Sequence, residues 1–104
     1  MDLIDYQKKI RLFDQYHEPT RFQALIMGLC SESGEVAGKV KKVMRGDGKL
    51  EKAALISEFG DVLWYLTRLA DMLNVNIPEI AKLNYEKLSS RYERNTIKGD
   101  GDDR

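Results

Sequence analysis

Apolar residues recur along this chain at spacings of three and four rather than two. Leu3, Tyr6, Ile10 and Phe13 form the first such stripe, which predicts a helix over about Asp2–Tyr16. His17, Glu18 and Pro19 break it, and Thr20 is placed to cap the next helix. This second helix is predicted over about Arg21–Met44, on the stripe Phe22, Leu25, Ile26, Leu29, Val36, Val40 and Val43. The run Arg45-Gly46-Asp47-Gly48-Lys49 ends it, because two glycines so close together disfavour helix. The third helix, about Leu50–Leu73, carries Leu55, Ile56, Phe59, Val62, Leu63, Leu66, Leu69 and Ala70. Asn74-Val75-Asn76 interrupts the pattern, and a fourth helix begins near Pro78 with Ile80, Leu83, Leu88 and Tyr92 along it. Pro19 and Pro78, the only prolines, both fall where a helix would begin.

No segment alternates convincingly in the manner of a strand, so the expected fold is all-α: a four-helix bundle-like subunit with two long central helices. A length of 104 residues leaves room for one domain, expected over 1–95, with an irregular tail over 96–104. The stripes are wider than one small bundle can bury, above all on the third helix around Trp64, Tyr65 and Leu66. A homodimer or a homotetramer sharing helix faces is therefore expected.

Charge narrows the partners. Seventeen basic and 17 acidic side chains give a formal net charge of zero, which argues against a nucleic acid polymer held by phosphate neutralisation. Hydrophobic residues at 42% and charged residues at 33% read as a charge-rich globular chain. Cys30 is the only cysteine, so no intramolecular disulfide forms, and its apolar neighbours predict a small core residue. No run resembles a signal peptide or a membrane span, which makes a cytoplasmic protein the expectation.

Acidic pairs three residues apart occur at Asp2/Asp5, Glu32/Glu35, Glu58/Asp61 and Asp100/Asp103. That spacing puts both side chains on one side of a helix. The outer two pairs lie in polar ends and read as solvated surface. The inner two border the apolar stripes of the long helices, with Glu32 one turn from Leu29 and Val36 and Glu58 one turn from Leu55 and Val62. Carboxylates facing one another near a seam repel unless something neutralises them. One resolution is a divalent cation, and an all-oxygen ligand set suits Mg2+, with Mn2+ as a substitute. Iron is disfavoured because neither motif holds a histidine. The competing reading is ion pairing with Lys39, Lys41, Lys42 or Arg68. Gly34 and Gly60 each sit inside one acidic pair, where a glycine costs about 1 kcal/mol against alanine. A close approach of helix backbones at a metal site would account for both, as would simple helix packing.

At these residues the chain resembles the MazG-type family of all-α nucleoside triphosphate pyrophosphohydrolases, which includes dimeric dUTPases and dCTPases. The resemblance rests on Leu29-Cys30-Ser31-Glu32-Ser33-Gly34-Glu35-Val36 and on Glu58-Phe59-Gly60-Asp61-Val62-Leu63-Trp64-Tyr65-Leu66. It extends to Asn84-Tyr85-Glu86-Lys87-Leu88-Ser89-Ser90-Arg91-Tyr92, and to an aromatic-and-histidine segment, Phe13–Pro19, like that of dCTPase members. It implies hydrolysis of an NTP or dNTP between the α and β phosphates, with Glu32, Glu35, Glu58 and Asp61 holding magnesium, in the service of clearing the nucleotide pool. One departure stands out: where many members carry a further glutamate before the first ligand, this chain has Ser31, whose hydroxyl is no base at neutral pH.

Around those motifs, His17 is a candidate for contact with base or phosphate, against a plain helix-terminal role. Tyr65, one turn beyond Asp61, could stack on a base or close the sugar pocket, while Trp64 reads as packing. Asn84, Lys87 and Arg91 line one helix face with donors suited to a triphosphate, or else form an ordinary solvated face. The His17 segment points towards pyrimidine deoxynucleotides, dCTP in particular. A helical interaction module, or a nucleotide-binding protein without hydrolysis, remains the alternative.

Overall fold

The computed structural model describes residues 1–104, and its regular structure is entirely helical. Helix α1 spans Leu3–Lys9 and runs into a 3-10 turn at Ile10–Phe13, followed by α2 at Arg21–Met44, α3 at Lys52–Met72 and α4 at Ile77–Glu93. Asp2 starts α1 by accepting the Asp5 amide at 2.8 Å. The helical run ends at Phe13, short of the expected Tyr16, because Asp14 is committed elsewhere. One of its oxygens accepts the Tyr16 amide at 2.8 Å and the other the Arg68 guanidinium at 2.8 Å, which holds Asp14 extended. Thr20 precedes α2 without capping it through its side chain; its hydroxyl donates instead to the His17 carbonyl at 3.5 Å. Asn76 does cap α4, accepting the Glu79 amide at 2.8 Å, with Pro78 in the first turn.

Gly46 and Gly48 have φ of +89° and +96°, the left-handed region that a tight reversal demands. Their turn folds α3 back antiparallel along α2, so that Gly28 meets Tyr65 and Lys39 reaches Glu58. The buried core sits at the far end of this hairpin, away from the turn. There Leu25 and Thr67 are wholly enclosed, joined by Ile10, Leu69, Ala70 and Ile77.

A buried polar network ties the N-terminal segment to this end. Gln7 donates to Asp71 at 2.7 Å and to the Val75 carbonyl at 2.9 Å, and accepts the Ile77 amide at 3.1 Å. It thereby satisfies one of the amides left free at the start of α4. Arg68 lies between Asp14 and Asp71, at 2.8 and 2.5 Å, and Arg11 clasps Asp71 with two bonds of 2.7 and 3.0 Å.

The hairpin end near the turn has no further layer over it, and α4 packs on α1 rather than along α2 or α3. The radius of gyration is accordingly 16.7 Å, against about 13 Å for a compact chain of this size. Apolar side chains stand in solvent on α2 (Met27), on α3 (Ile56, Phe59) and on α4 (Leu83, Tyr92), as the wide stripes foretold. Cys30 corrects an expectation: it is exposed, one turn from exposed Ile26, on a face of α2 that nothing in the protomer covers.

Burial works to raise the pKa of Asp14, but the Arg68 and Tyr16 hydrogen bonds and the Arg68 and Arg21 charges outweigh it and hold the carboxyl low. Burial likewise opposes Asp71, and Arg11, Gln7 and Arg68 win. Folded values below the ordinary 3.8 mean that this stabilisation is complete above that pH and is lost as pH falls through the folded values. Removing the shared cation should cost more. Arg68→Ala leaves two shielded carboxylates without it and is expected to lose about 3 kcal/mol or more in urea unfolding at pH 7. A loss under about 1 kcal/mol would show that the network is not what fastens the N-terminal segment.

Candidate metal centre

The antiparallel register of α2 and α3 sets Glu32 opposite the Glu58/Asp61 pair. One carboxylate oxygen from each of Glu32, Glu58 and Asp61 lies within 4.8 Å of the others. Glu32 and Glu58 are half-buried and Asp61 is exposed, so the cluster opens to solvent on one side. Glu32 is pushed above its ordinary pKa, first by burial, then by the Asp61 and Glu58 charges, a hydrogen bond with Glu58 and the Glu35 charge. Lys39 offers partial relief, its ammonium 3.6 Å from Glu58. One lysine does not neutralise three carboxylates. The donors are all hard oxygens, and the crowding that raises Glu32 is what a divalent cation would relieve, so the group suits such an ion.

Glu35 is exposed and stands outside the group of three, although its charge is felt at Glu32. The ion-pairing alternative is met only at Lys39, since Arg68 is taken by Asp14 and Asp71.

Tyr65 lies against α2 with its ring where a Cβ on Gly28 would be, the ring's Cε1 nearest to that position. The ring meets Trp64 edge-on at 5.0 Å between centroids, and its hydroxyl shares a 2.7 Å hydrogen bond with Tyr16. Trp64 in turn donates to the Ile10 carbonyl at 3.3 Å. The Tyr16 hydrogen bond, burial, and the charges of Tyr16, Glu32 and Asp61 push the Tyr65 phenol up to about 12. It therefore stays protonated at neutral pH, a donor near the carboxylates.

The close helix approach expected at Gly34 and Gly60 does not occur within the protomer, where a Cβ on either would meet nothing within 4 Å. Gly28, one turn before Glu32, is the glycine that packing requires. It was not singled out by the sequence, and Tyr16 entered only as a member of the Phe13–Pro19 segment. A glycine inside a predicted helix, four residues from an acidic ligand, was the available signal for the first.

His17 is exposed in the segment before α2, and Ser31 is exposed on α2. Asn84 and Lys87 line a shallow groove on α4 with Ile80 and Leu83. Arg91, on the same helix, is 4% exposed and bonded to Asp102 in the tail. The carboxylates and the α4 donors are thus two separate groups within one protomer.

A pair of antiparallel helices presenting paired acidic motifs defines the chain as a carboxylate-bearing all-α domain. Comparison with known proteins gives the family: a match to the MazG nucleotide pyrophosphohydrolase domain covers residues 20–95, and the chain belongs to that family. It is similar to the Gene 37 protein of Mycobacterium phage L5, at 44% identity over 82 residues, covering 75% of this chain and 72% of that one. It is also similar to the uncharacterized protein YvdC of Bacillus subtilis (strain 168), at 32% identity over 104 residues, covering 89% and 98% of the two chains. No solved structure matches significantly. Membership implies a nucleotide substrate and, as is general in the family, metal dependence. No helix is long and apolar enough to cross a membrane.

Gly28→Ala should be destabilising despite alanine's better helix propensity, because its methyl group meets a ring that Tyr16 and Trp64 hold in place. The expected loss is about 1–3 kcal/mol in urea unfolding. Gly34→Ala, which meets open space, should be neutral or gain up to about 1 kcal/mol. Equal effects at the two positions would contradict the packing described.

Proposed function

We propose that this chain hydrolyses nucleoside triphosphates, deoxynucleotides in particular, between the α and β phosphates, releasing a nucleoside monophosphate and pyrophosphate. The observation that carries the reading is the convergence of Glu32, Glu58 and Asp61 across two helices in a chain of this family. Glu32, Glu35, Glu58 and Asp61 hold Mg2+, with Mn2+ as a substitute. Held there, the ion would offset charge on the phosphate oxygens and would make a nearby water more acidic. Glu35 joins from the rim, one turn from Glu32. Tyr65, its hydroxyl backed by Tyr16, stacks on the base or closes on the sugar, and His17 contacts the base or the phosphates.

Asn84, Lys87 and Arg91 bind the phosphates through charge-assisted hydrogen bonds. Since α4 does not cover its own protomer's carboxylates, a second copy brings its α4 to complete the site. The exposed faces of α2, α3 and α4 supply apolar surface for such a homodimer or homotetramer. Ser31 cannot serve as a base at neutral pH, so activation of the water would fall to the bound ion or to one of the four carboxylates. The physiological task is removal of surplus or non-standard nucleotides from the cytoplasmic pool, with pyrimidine deoxynucleotides, dCTP foremost, as preferred substrates.

Incubation with each common NTP and dNTP plus Mg2+, resolved chromatographically, tests the reaction class. Monophosphate and pyrophosphate without diphosphate is the expected product pattern, and no product from any nucleotide would overturn the reading. Asp61→Asn is expected to abolish turnover with helicity intact. In chelator at low salt it should also melt higher than the unaltered protein at neutral pH, because it removes one of the charges that raise Glu32. The sign comes from linkage: a carboxyl raised by the fold costs stability as pH rises past its unfolded value, and the full cost is present above its folded value.

A further inference from the structure

The tail carries no helix, yet residues 97–104 close on themselves. The Arg104 guanidinium donates to the Ile97 carbonyl at 3.2 and 3.0 Å and also to the Gly101 carbonyl. Gly99 and Gly101 make the reversals, with φ of +139° and +81°. The loop so formed rests on α4 through Asp102. Lys87 donates to its carboxylate at 3.1 Å, and one Arg91 nitrogen reaches the same oxygen at 3.2 Å and the Asp102 carbonyl at 2.6 Å. Arg94 adds a bond of 2.8 Å to the Arg104 carbonyl.

Seat and occupant differ in character. The Arg91 side chain is only 5% exposed, and its Nε is fully enclosed without a hydrogen-bond partner. A buried guanidinium with an unused donor is a costly arrangement unless an anion uses its fork fully. Asp102, by contrast, is 80% exposed, and engages that fork through one nitrogen only. The apolar hold on the loop is slight: Ile97, its one apolar residue, lies beside Leu88 and Tyr92 in a groove on α4 but stays 43% exposed. The contact is a cationic seat, Lys87 and Arg91, carrying a single solvent-exposed carboxylate.

We propose that Asp102 is a built-in competitor, occupying the Lys87/Arg91 seat in place of a substrate phosphate and leaving when the nucleotide arrives. This rests on the assignment of Lys87 and Arg91 to phosphate binding. A phosphate presents more oxygens and more charge to the same donors than one carboxylate, so it displaces the tail. The tail in turn shields the seat from weaker monovalent anions, and raises the nucleotide concentration at which the site is half-filled. The competition acts on substrate entry and not on the bond that breaks, so it appears in KM and leaves kcat alone.

Steady-state kinetics on the full chain with its preferred triphosphate, comparing Asp102→Asn and Lys87→Ala with the unaltered protein, tests this. Asp102→Asn is expected to lower KM about two- to fivefold at unchanged kcat, the factor an exposed ion pair is worth. Lys87→Ala should raise KM about tenfold or more, the worth of a charged hydrogen bond. If Lys87→Ala raises KM while Asp102→Asn leaves it unchanged or raises it, the competitor role is overturned and phosphate binding by α4 stands. If Lys87→Ala leaves KM unchanged, the assignment of the seat to phosphate fails, and the competitor role with it.

Discussion

Repulsion between like charges across the α2–α3 seam is the constraint around which this chain is organised. Helices of 24 and 21 residues run antiparallel, and near the middle of their contact they set Glu32 against Glu58 and Asp61. Apolar packing that would ordinarily offset such crowding is concentrated at one end, around Leu25, Leu69 and Ala70. The turn end carries little of it. The hairpin therefore holds its carboxylates together by means of structure placed elsewhere. Stability given up at a cluster of this kind is the usual mark of a group kept for its chemistry.

That other structure is polar as much as apolar. Gln7, Arg11, Asp14, Arg68 and Asp71 fix the segment before α2, and through it bring Tyr16 to Tyr65. Gly28 then makes room for the Tyr65 ring against α2. A chain of contacts thus runs from the N-terminal helix to the edge of the acidic cluster, and each link in it is short-ranged and directional. The α4 donors obey a different logic, since they stand apart from the cluster, and Lys87 and Arg91 meet the tail instead.

Helix periodicity made the fold legible before any coordinates, because 3.6-residue stripes and the Gly46/Gly48 turn are local properties of sequence. The paired acidic motifs were legible for the same reason: a spacing of three fixes a face. What sequence could not supply was the register between helices. Register decides that Glu32, Glu58 and Asp61 converge while Glu35 stays at the rim, and that Gly28 rather than Gly34 or Gly60 meets a neighbouring side chain. Long-range pairings were equally hidden, since nothing near Asp14 in sequence points to Arg68, 54 residues away. Cys30 was misread because a helix buried on one side only leaves apolar neighbours in solvent.

Binding of the cation itself bears most directly on the account. Titration of Mn2+ monitored by its free-ion paramagnetic signal, on the unaltered protein and on Glu32→Gln, reads the cluster without reference to any nucleotide. Saturable binding in the millimolar range or below, lost or weakened at least tenfold in Glu32→Gln, is the expected result. Absence of saturable binding, or the same affinity in both proteins, would contradict a metal centre at the α2–α3 seam.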